Sequence, residues 1–220
     1  MSGILQLGKG DLVPGQKLNL AKSSSSELKN IRIGLGWDEN NTGGHDFDPD
    51  VILLMMDSSK TNCKAENFYF YNNLVSKDGE QVQNADKSFR VVRPGYITHN
   101  GDNRTGAGAG DDETIDIRLD GIPRDLTFGV IAVTIHDAQT RRQNFGMMQN
   151  AYIRIINKDT NEQLGKLDLD FDASTETGVI FGALIYHNNE WYFSALPAVE
   201  PILGGIEGLV AKYNVQYPLS

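Results

Sequence analysis

Ile31, Ile33, Leu35 and Trp37 alternate with Arg32, Gly34 and Gly36, the period of a half-buried strand that delivers Asp38 at its end. A polar stretch from Asp38 to Asp50 leads into an unbroken apolar run, Val51 to Met56, of strand length and closed by Asp57-Ser58-Ser59. Asn67 to Tyr71 reads as an aromatic strand, and Asp78-Gly79 marks a tight turn beyond it. The alternation of Ile115, Ile117 and Leu119 predicts a further strand, and Leu126 to Ile135 a long apolar one. Ala151 to Ile156, Leu164 to Phe171, Gly178 to Tyr186 and Glu190 to Leu196 predict more, with Asn188-Asn189 as the hairpin between the last two. Near the start, Ile4 to Leu7 and Lys17 to Leu20, separated by Pro14-Gly15, read as an opening strand pair, and Ser23 to Ser26 as a hairpin tip.

Helical periodicity is confined to Ile206, Leu209, Val210 and Tyr213, after Gly204-Gly205, which predicts a short amphipathic helix packed on a sheet. Asp137 to Met148 reads as a short helix or ordered loop with Asp137 as N-cap. Many short strands, turn signals between them and one or two short helices predict an all-β fold, a β-sandwich, with residues 1–220 as a single domain.

Charge changes this picture most. A net charge of -9 argues against nucleic acid or an anionic membrane as a main partner, because both reward basic patches. It favours cations. The single cysteine, Cys63, excludes an intrachain disulfide and a Cys-only metal site. No apolar run approaches the roughly 18 residues of a spanning helix, so the expectation is a cytoplasmic protein without membrane insertion.

Two oxygen-rich segments carry the candidate chemistry. In Thr98 to Ile117, side chains such as Asp102, Asn103, Thr105, Asp111, Asp112, Glu113 and Thr114 offer oxygens, and Gly106, Gly108 and Gly110 let the backbone turn. Calcium takes six to eight oxygen ligands, which such a loop supplies from carboxylates and carbonyls together. The acidic run stands at the mouth of a strand and not of a helix, and its carboxylates repel a pyrophosphate, which excludes a phosphate cradle despite the glycines. In the other segment Asp46, Asp48 and Asp50 alternate, so an extended backbone aims all three carboxylates to one side, either as a charged edge or as a ligand set. Asp168, Asp170 and Asp172 repeat the spacing and read as a solvated strand face. Neither segment completes an EF-hand: Asp102 and Glu113 fit its first and twelfth positions, but Arg104 and Gly106 stand at the third and fifth. Any calcium site is therefore assembled from two loops at one end of the sandwich. His45 and His99 leave open a mixed His/carboxylate site for zinc or iron, although hard oxygen donors outnumber them. Arg141 to Phe145 reads as framework that caps neighbouring loops, anchored by Phe145.

With these residues in view, the chain resembles the TerD family of bacterial tellurite-resistance and stress proteins. The likeness rests on GLGWD at Gly34 to Asp38, DFDPD at Asp46 to Asp50, FYN at Phe70 to Asn72, HNGDN at His99 to Asn103 and TGAGAGDDE at Thr105 to Glu113. QNFG at Gln143 to Gly146, AYIR at Ala151 to Arg154 and STET at Ser174 to Thr177 extend it over nearly the whole chain. The resemblance implies a calcium-binding β-sandwich, with two ions held by Asp38, Asp46, Asp48, Asp50, Asp102, Asn103, Asp111, Asp112 and Glu113 and helped by carbonyls of Gly106 to Gly110. It also implies a non-enzymatic stress role in which calcium orders the loops into a surface for other stress or tellurite-resistance proteins. The rival reading is a metal-dependent enzyme acting on a phosphorylated or nucleotide substrate, with His136, Asp137 and Arg141 as its polar groups.

Overall fold

The alternating run and the unbroken apolar run enter sheets that are covered differently. The computed structural model describes residues 17–20, 28–41, 43–107 and 110–215. One sheet has the order β1 (Lys17–Asn19), β13 (Glu190–Pro201), β12 (Gly178–His187), β9 (Phe128–Ile135), β3 (Pro49–Met56), β4 (Phe68–Tyr69). The other has the order β11 (Glu162–Asp168), β10 (Tyr152–Asn157), β2 (Asn30–Gly36), β8 (Glu113–Arg118), β7 (Ile97–His99). Every pairing within them is antiparallel.

The two sheets face each other as a β-sandwich, and Ile33, Leu35, Ile115 and Ile153 of the second meet Val51, Leu53 and Met55 of the first in the main core. The alternate residues of β3, Ile52, Leu54 and Met56, belong to a second apolar cluster on the far side, under helix α3 (Gly205–Lys212) with its buried Leu209. Burial on both faces is why β3 is apolar throughout. The second sheet has one buried face only, and Arg32, Asp116 and Arg154 occupy its outer face, which is why β2 alternates.

Several expectations change in the structure. The strand read over Leu164 to Phe171 stops at Asp168, and Leu169–Asp172 forms a helical turn, α2. Leu169 is fully buried and donates its N–H to Ala151, so Asp168, Asp170 and Asp172 do not line one strand face. Of Asn67 to Tyr71 only Phe68–Tyr69 pairs with β3, because Phe70 and Asn73 exchange backbone hydrogen bonds and turn the chain back. Asp137 does precede a four-residue helix, α1 (Ala138–Arg141), but it adopts a left-handed conformation (φ 51°) and its side chain caps nothing. A separate hairpin of β5 (Glu80–Gln83) and β6 (Phe89–Arg93) gave no alternation signal, since both strands are exposed or half-buried along their length. The Asn188-Asn189 hairpin is present, with φ of 52° and 64° as a type I′ turn requires. The strand at Ile4 to Leu7, the turn at Pro14-Gly15 and the hairpin tip at Ser23 to Ser26 lie outside the described residues.

Asp116 ties the outer face of the second sheet together. It accepts hydrogen bonds from Arg32 Nε (2.6 Å), Lys158 Nζ (2.7 Å) and Asn100 Nδ2 (3.1 Å). Burial alone raises its carboxyl, but these donors outweigh burial and hold it below the ordinary carboxylate range. A depressed folded value contributes stability above the unfolded carboxyl pKa of about 3.9, lost as the pH falls through the lower folded value. Asp116→Asn is therefore expected to cost about 1–2 kcal/mol at neutral pH, allowing for solvent screening. Urea unfolding of both proteins from neutral pH into the acid range checks this: the difference must shrink below about pH 4, and a difference that persists unchanged would remove the ion pairs as its cause.

Candidate metal centre

Two glycines of the Gly34 to Asp38 motif make room for the loop that precedes β8. A Cβ on Gly34 would lie 2.3 Å from the Asp111 carboxyl carbon, and one on Gly36 would lie 2.6 Å from the Tyr152 hydroxyl and 2.7 Å from the Gly110 carbonyl oxygen. The loop thus lies directly on β2. It is tied down further by Asp112, whose Oδ2 accepts the Trp37 N–H (3.0 Å) and whose Oδ1 accepts Asn103 Nδ2 (3.0 Å). Asn103 Oδ1 in turn accepts the N–H groups of Thr105 (3.1 Å) and Gly106 (3.2 Å).

Glu113 joins this loop to the other. Buried at the start of β8, it accepts the Val51 N–H on Oε2 (3.0 Å) and the Asn103 N–H on Oε1 (3.2 Å). Behind it the fully buried His99 places Nε2 3.7 Å from Glu113 Oε2 and accepts the Gly101 N–H on Nδ1 (3.3 Å). Burial pushes the imidazole down to about 4, so His99 is neutral framework.

The outcome is a convergence of carboxylates from both loops. Asp48 and Asp50 of one segment and Asp102 of the other bring one ligand oxygen each within 4.8 Å of one another. Asp50 is 5% exposed and, among the described residues, has no hydrogen-bond or ion-pair partner. Burial first, then the charges of Asp48 and Asp102, push its carboxyl well above the usual range. Burial and Asp102 also raise Asp48, against the opposing pull of His136, Arg141 and Arg104. Glu113 is raised by burial and then by Asp50. The Oδ1 atom of Asp48 is buried without a hydrogen-bond partner. Two guanidinium groups stand nearby, Arg104 Nε at 2.8 Å from Asp102 Oδ2 and Arg141 at 3.8 Å from Asp48 Oδ2.

The remaining candidates lie around this point. Asp46 is exposed, and its carbonyl accepts from Arg141 (3.4 Å) and Gln143 Nε2 (3.2 Å). Asp38 accepts Asn150 Nδ2 (2.7 Å). Asp112 is raised by burial and then, against the Trp37 amide, by the charges of Asp111 and Asp38, but these three do not converge as Asp48, Asp50 and Asp102 do. Asp111 points onto the outer face of the second sheet, where its Oδ1 accepts Arg154 Nε (2.8 Å) and the Tyr152 hydroxyl (3.0 Å). The carbonyls of 108 and 109 lie outside the described residues.

Arg141 to Phe145 holds the Asp38 to Asp50 loop, through Gln143 to the His45 carbonyl (2.9 Å) and through fully buried Phe145, as the framework reading expected. The sequence reading took Arg104 only as a mismatch to an EF-hand and not as a counter-charge, although its place two residues after Asp102 was a usable signal. His99, read as a surface or hydrogen-bonded histidine, is hydrogen-bonded but fully buried, and nothing in one sequence reports that burial.

A family model described as the TerD domain matches residues 9–213. The chain belongs to the TerD family. Its TerD-family relatives include a tellurium resistance protein TerD of Serratia marcescens, 41% identical over 204 residues that make up 93% of this chain and 96% of the relative. General stress protein 16U of Bacillus subtilis is 39% identical over 206 residues, 93% of this chain and 97% of that one. A solved TerD homologue, a homologue of telluride resistance protein from Streptomyces coelicolor A3(2), superposes with a TM-score of 0.63 over 84% of this chain and 96% of that chain at 17% identity, a likeness of fold. The TerD-family fold thus brings the two acidic segments of this chain to one place.

Proposed function

We propose that this chain is a non-enzymatic, cytoplasmic calcium-binding protein of the tellurium-resistance and stress-response type, in which calcium orders two acidic loops into a surface for partner stress proteins. The observation that carries the reading is the convergence of Asp48, Asp50 and Asp102, with the orphaned Asp48 Oδ1 and the unpartnered Asp50 among them. Carboxylates this close, in partial burial, cost free energy unless a cation neutralises them. The donors are hard oxygens, which suits calcium; His99 is buried behind Glu113. Among the described residues Asp38, Asp111 and Asp112 make no comparable cluster, and Asp111 is held by Arg154 and Tyr152, so the reading rests on the one convergence. When bound, the metal supplies charge neutralisation and cross-linking of loops, and Arg104 and Arg141 keep the acids in register beforehand. Arg141 is committed to the Asp46 carbonyl and Asp48, which supports a binding role for this corner over an enzymatic one. Names such as tellurium resistance protein and general stress protein among the relatives support the physiological side of the proposal.

Calorimetric titration of metal-stripped protein with calcium, and with magnesium and zinc as comparisons, tests it. Saturable calcium binding with a raised melting temperature is expected, and Asp48→Asn should weaken it by at least about tenfold, some 1.4 kcal/mol. A preference for zinc, or no heat with calcium, would overturn the reading.

A further inference from the structure

Beside the acidic triad a cavity of about 350 Å³ opens between the end of β9, the start of α1 and the first turn of α3. That size falls at the lower end of small-molecule sites, roughly 300–1,000 Å³. Asp50 belongs to both places: it is one of the three clustered carboxylates and also part of the cavity wall. It is thus a buried, unpartnered carboxylate shared by the triad and the cavity. Three carboxylates leave coordination positions of a calcium ion to be filled by other oxygens. On the calcium reading above, Asp50 would be the ligand on the cavity side.

The rest of the wall states what kind of oxygen fits. Tyr71, Thr134 and Thr177 line it, and each carries a hydroxyl able to donate and accept. Tyr71 lies in the field of both Asp50 and Glu207: burial, then these two charges, push its phenol up to about 12. Asp137 and Glu207 add two exposed carboxylates to the lining. Glu207 lies in the first turn of α3 and already offsets the positive end of that helix. Two carboxylates at the opening, on a chain of net charge -9, disfavour an anionic ligand and offer acceptors to hydroxyl donors. Vicinal hydroxyls meet both demands, since their oxygens coordinate a hard cation while their protons go to carboxylates.

We propose that this cavity is a calcium-dependent site for a small neutral polyol, whose vicinal hydroxyls complete the coordination of the cation from the Asp50 side and donate to Glu207 and Asp137. The inference rests on the calcium reading above.

The test titrates the calcium-saturated full chain with D-ribose and D-mannitol, following the amide resonances of Thr134, Thr177 and Gly205. The comparison probes are 1,3-propanediol, acetate and methyl phosphate, and calcium affinity is measured separately. Saturable shifts are expected with the two polyols only, vanishing when calcium is stripped, and each polyol must tighten calcium by the factor by which calcium tightens the polyol. Tyr71→Phe and Thr177→Val should each weaken the polyol by about 3- to 10-fold, one neutral hydrogen bond, and leave calcium affinity unchanged. Normal calcium binding without polyol shifts overturns the polyol site and spares the calcium reading. Shifts with acetate or methyl phosphate in place of polyols, or polyol binding untouched by both variants, overturn it as well. Loss of calcium binding in the unmodified chain removes both readings together.

Discussion

Replacing Asp50 with asparagine is expected to stabilise the metal-free protein while removing most of its stabilisation by calcium. Asp50 is a nearly fully buried carboxylate with two others beside it and no side-chain partner among the described residues, so its ionised form is disfavoured without a cation. The amide has nearly the same shape and no charge, and relief of about 1–3 kcal/mol is expected in the absence of metal. With calcium the sign reverses. A ligand at a thousandfold excess over its dissociation constant stabilises the native state by about 4 kcal/mol, and a variant binding a hundredfold more weakly keeps only about 1.4 of that. Thermal unfolding of both proteins, in chelator and in saturating calcium, reads both effects at once. An equal calcium-induced shift in the two proteins would exclude Asp50 from the site; a less stable metal-free variant would mean its carboxylate is compensated by something other than a cation.

The second large effect concerns the loop and not its acids. Gly106 has φ +71°, and a Cβ there would meet Trp37 Nε1 at 2.5 Å and the Trp37 carbonyl oxygen at 2.9 Å. Gly106→Ala therefore meets a left-handed backbone, worth about 1–2 kcal/mol against an L-residue, and also a contact that the buried Trp37 and its backbone cannot give way to without moving the loop. Gly101 in the same loop has φ +117° and nothing within 4 Å of its Cβ, so Gly101→Ala isolates the backbone strain from the contact. Gly106→Ala should disturb the near-ultraviolet circular dichroism of tryptophan and weaken calcium more than tenfold, beyond about 1.4 kcal/mol, by drawing Asp102 away from Asp48 and Asp50. Equal losses in the two variants would show that packing against Trp37 does not position the loop.

Much of this molecule is legible in its residue order, and the limits have physical causes. The strands that cross a core on one face, such as β2 with Ile31, Ile33 and Leu35, were legible because a two-residue apolar period matches the pleat of a strand covered on one side and no helix. The C-terminal helix was legible for the same reason at its own period. The β5–β6 hairpin was not, since neither strand buries a continuous face, and the end of β11 was misread because Leu169 leaves the ladder to bury in a helical turn. At the site, the acidic segments stood out by composition alone, and the motifs within them pointed to a family that the wider comparison then showed. Which carboxylates meet was not legible: Asp111 is adjacent to Asp112 in sequence, yet it is clamped by Arg154 on the outer face of the sheet while Asp112 turns to the Trp37 amide.

The sequence by itself determined the all-β class, the strand and helix periods, the two acidic segments and the family, because each depends on residue types at short separation. Only the tertiary structure decided that Asp48 and Asp50 meet Asp102 from across the sandwich, that Glu113 and His99 lie buried behind them, and that Asp50 also faces a cavity under α3. The physical reason is that burial and electrostatic coupling depend on which loops the two sheets bring to one end, and separations of some fifty residues carry no local periodicity to reveal it.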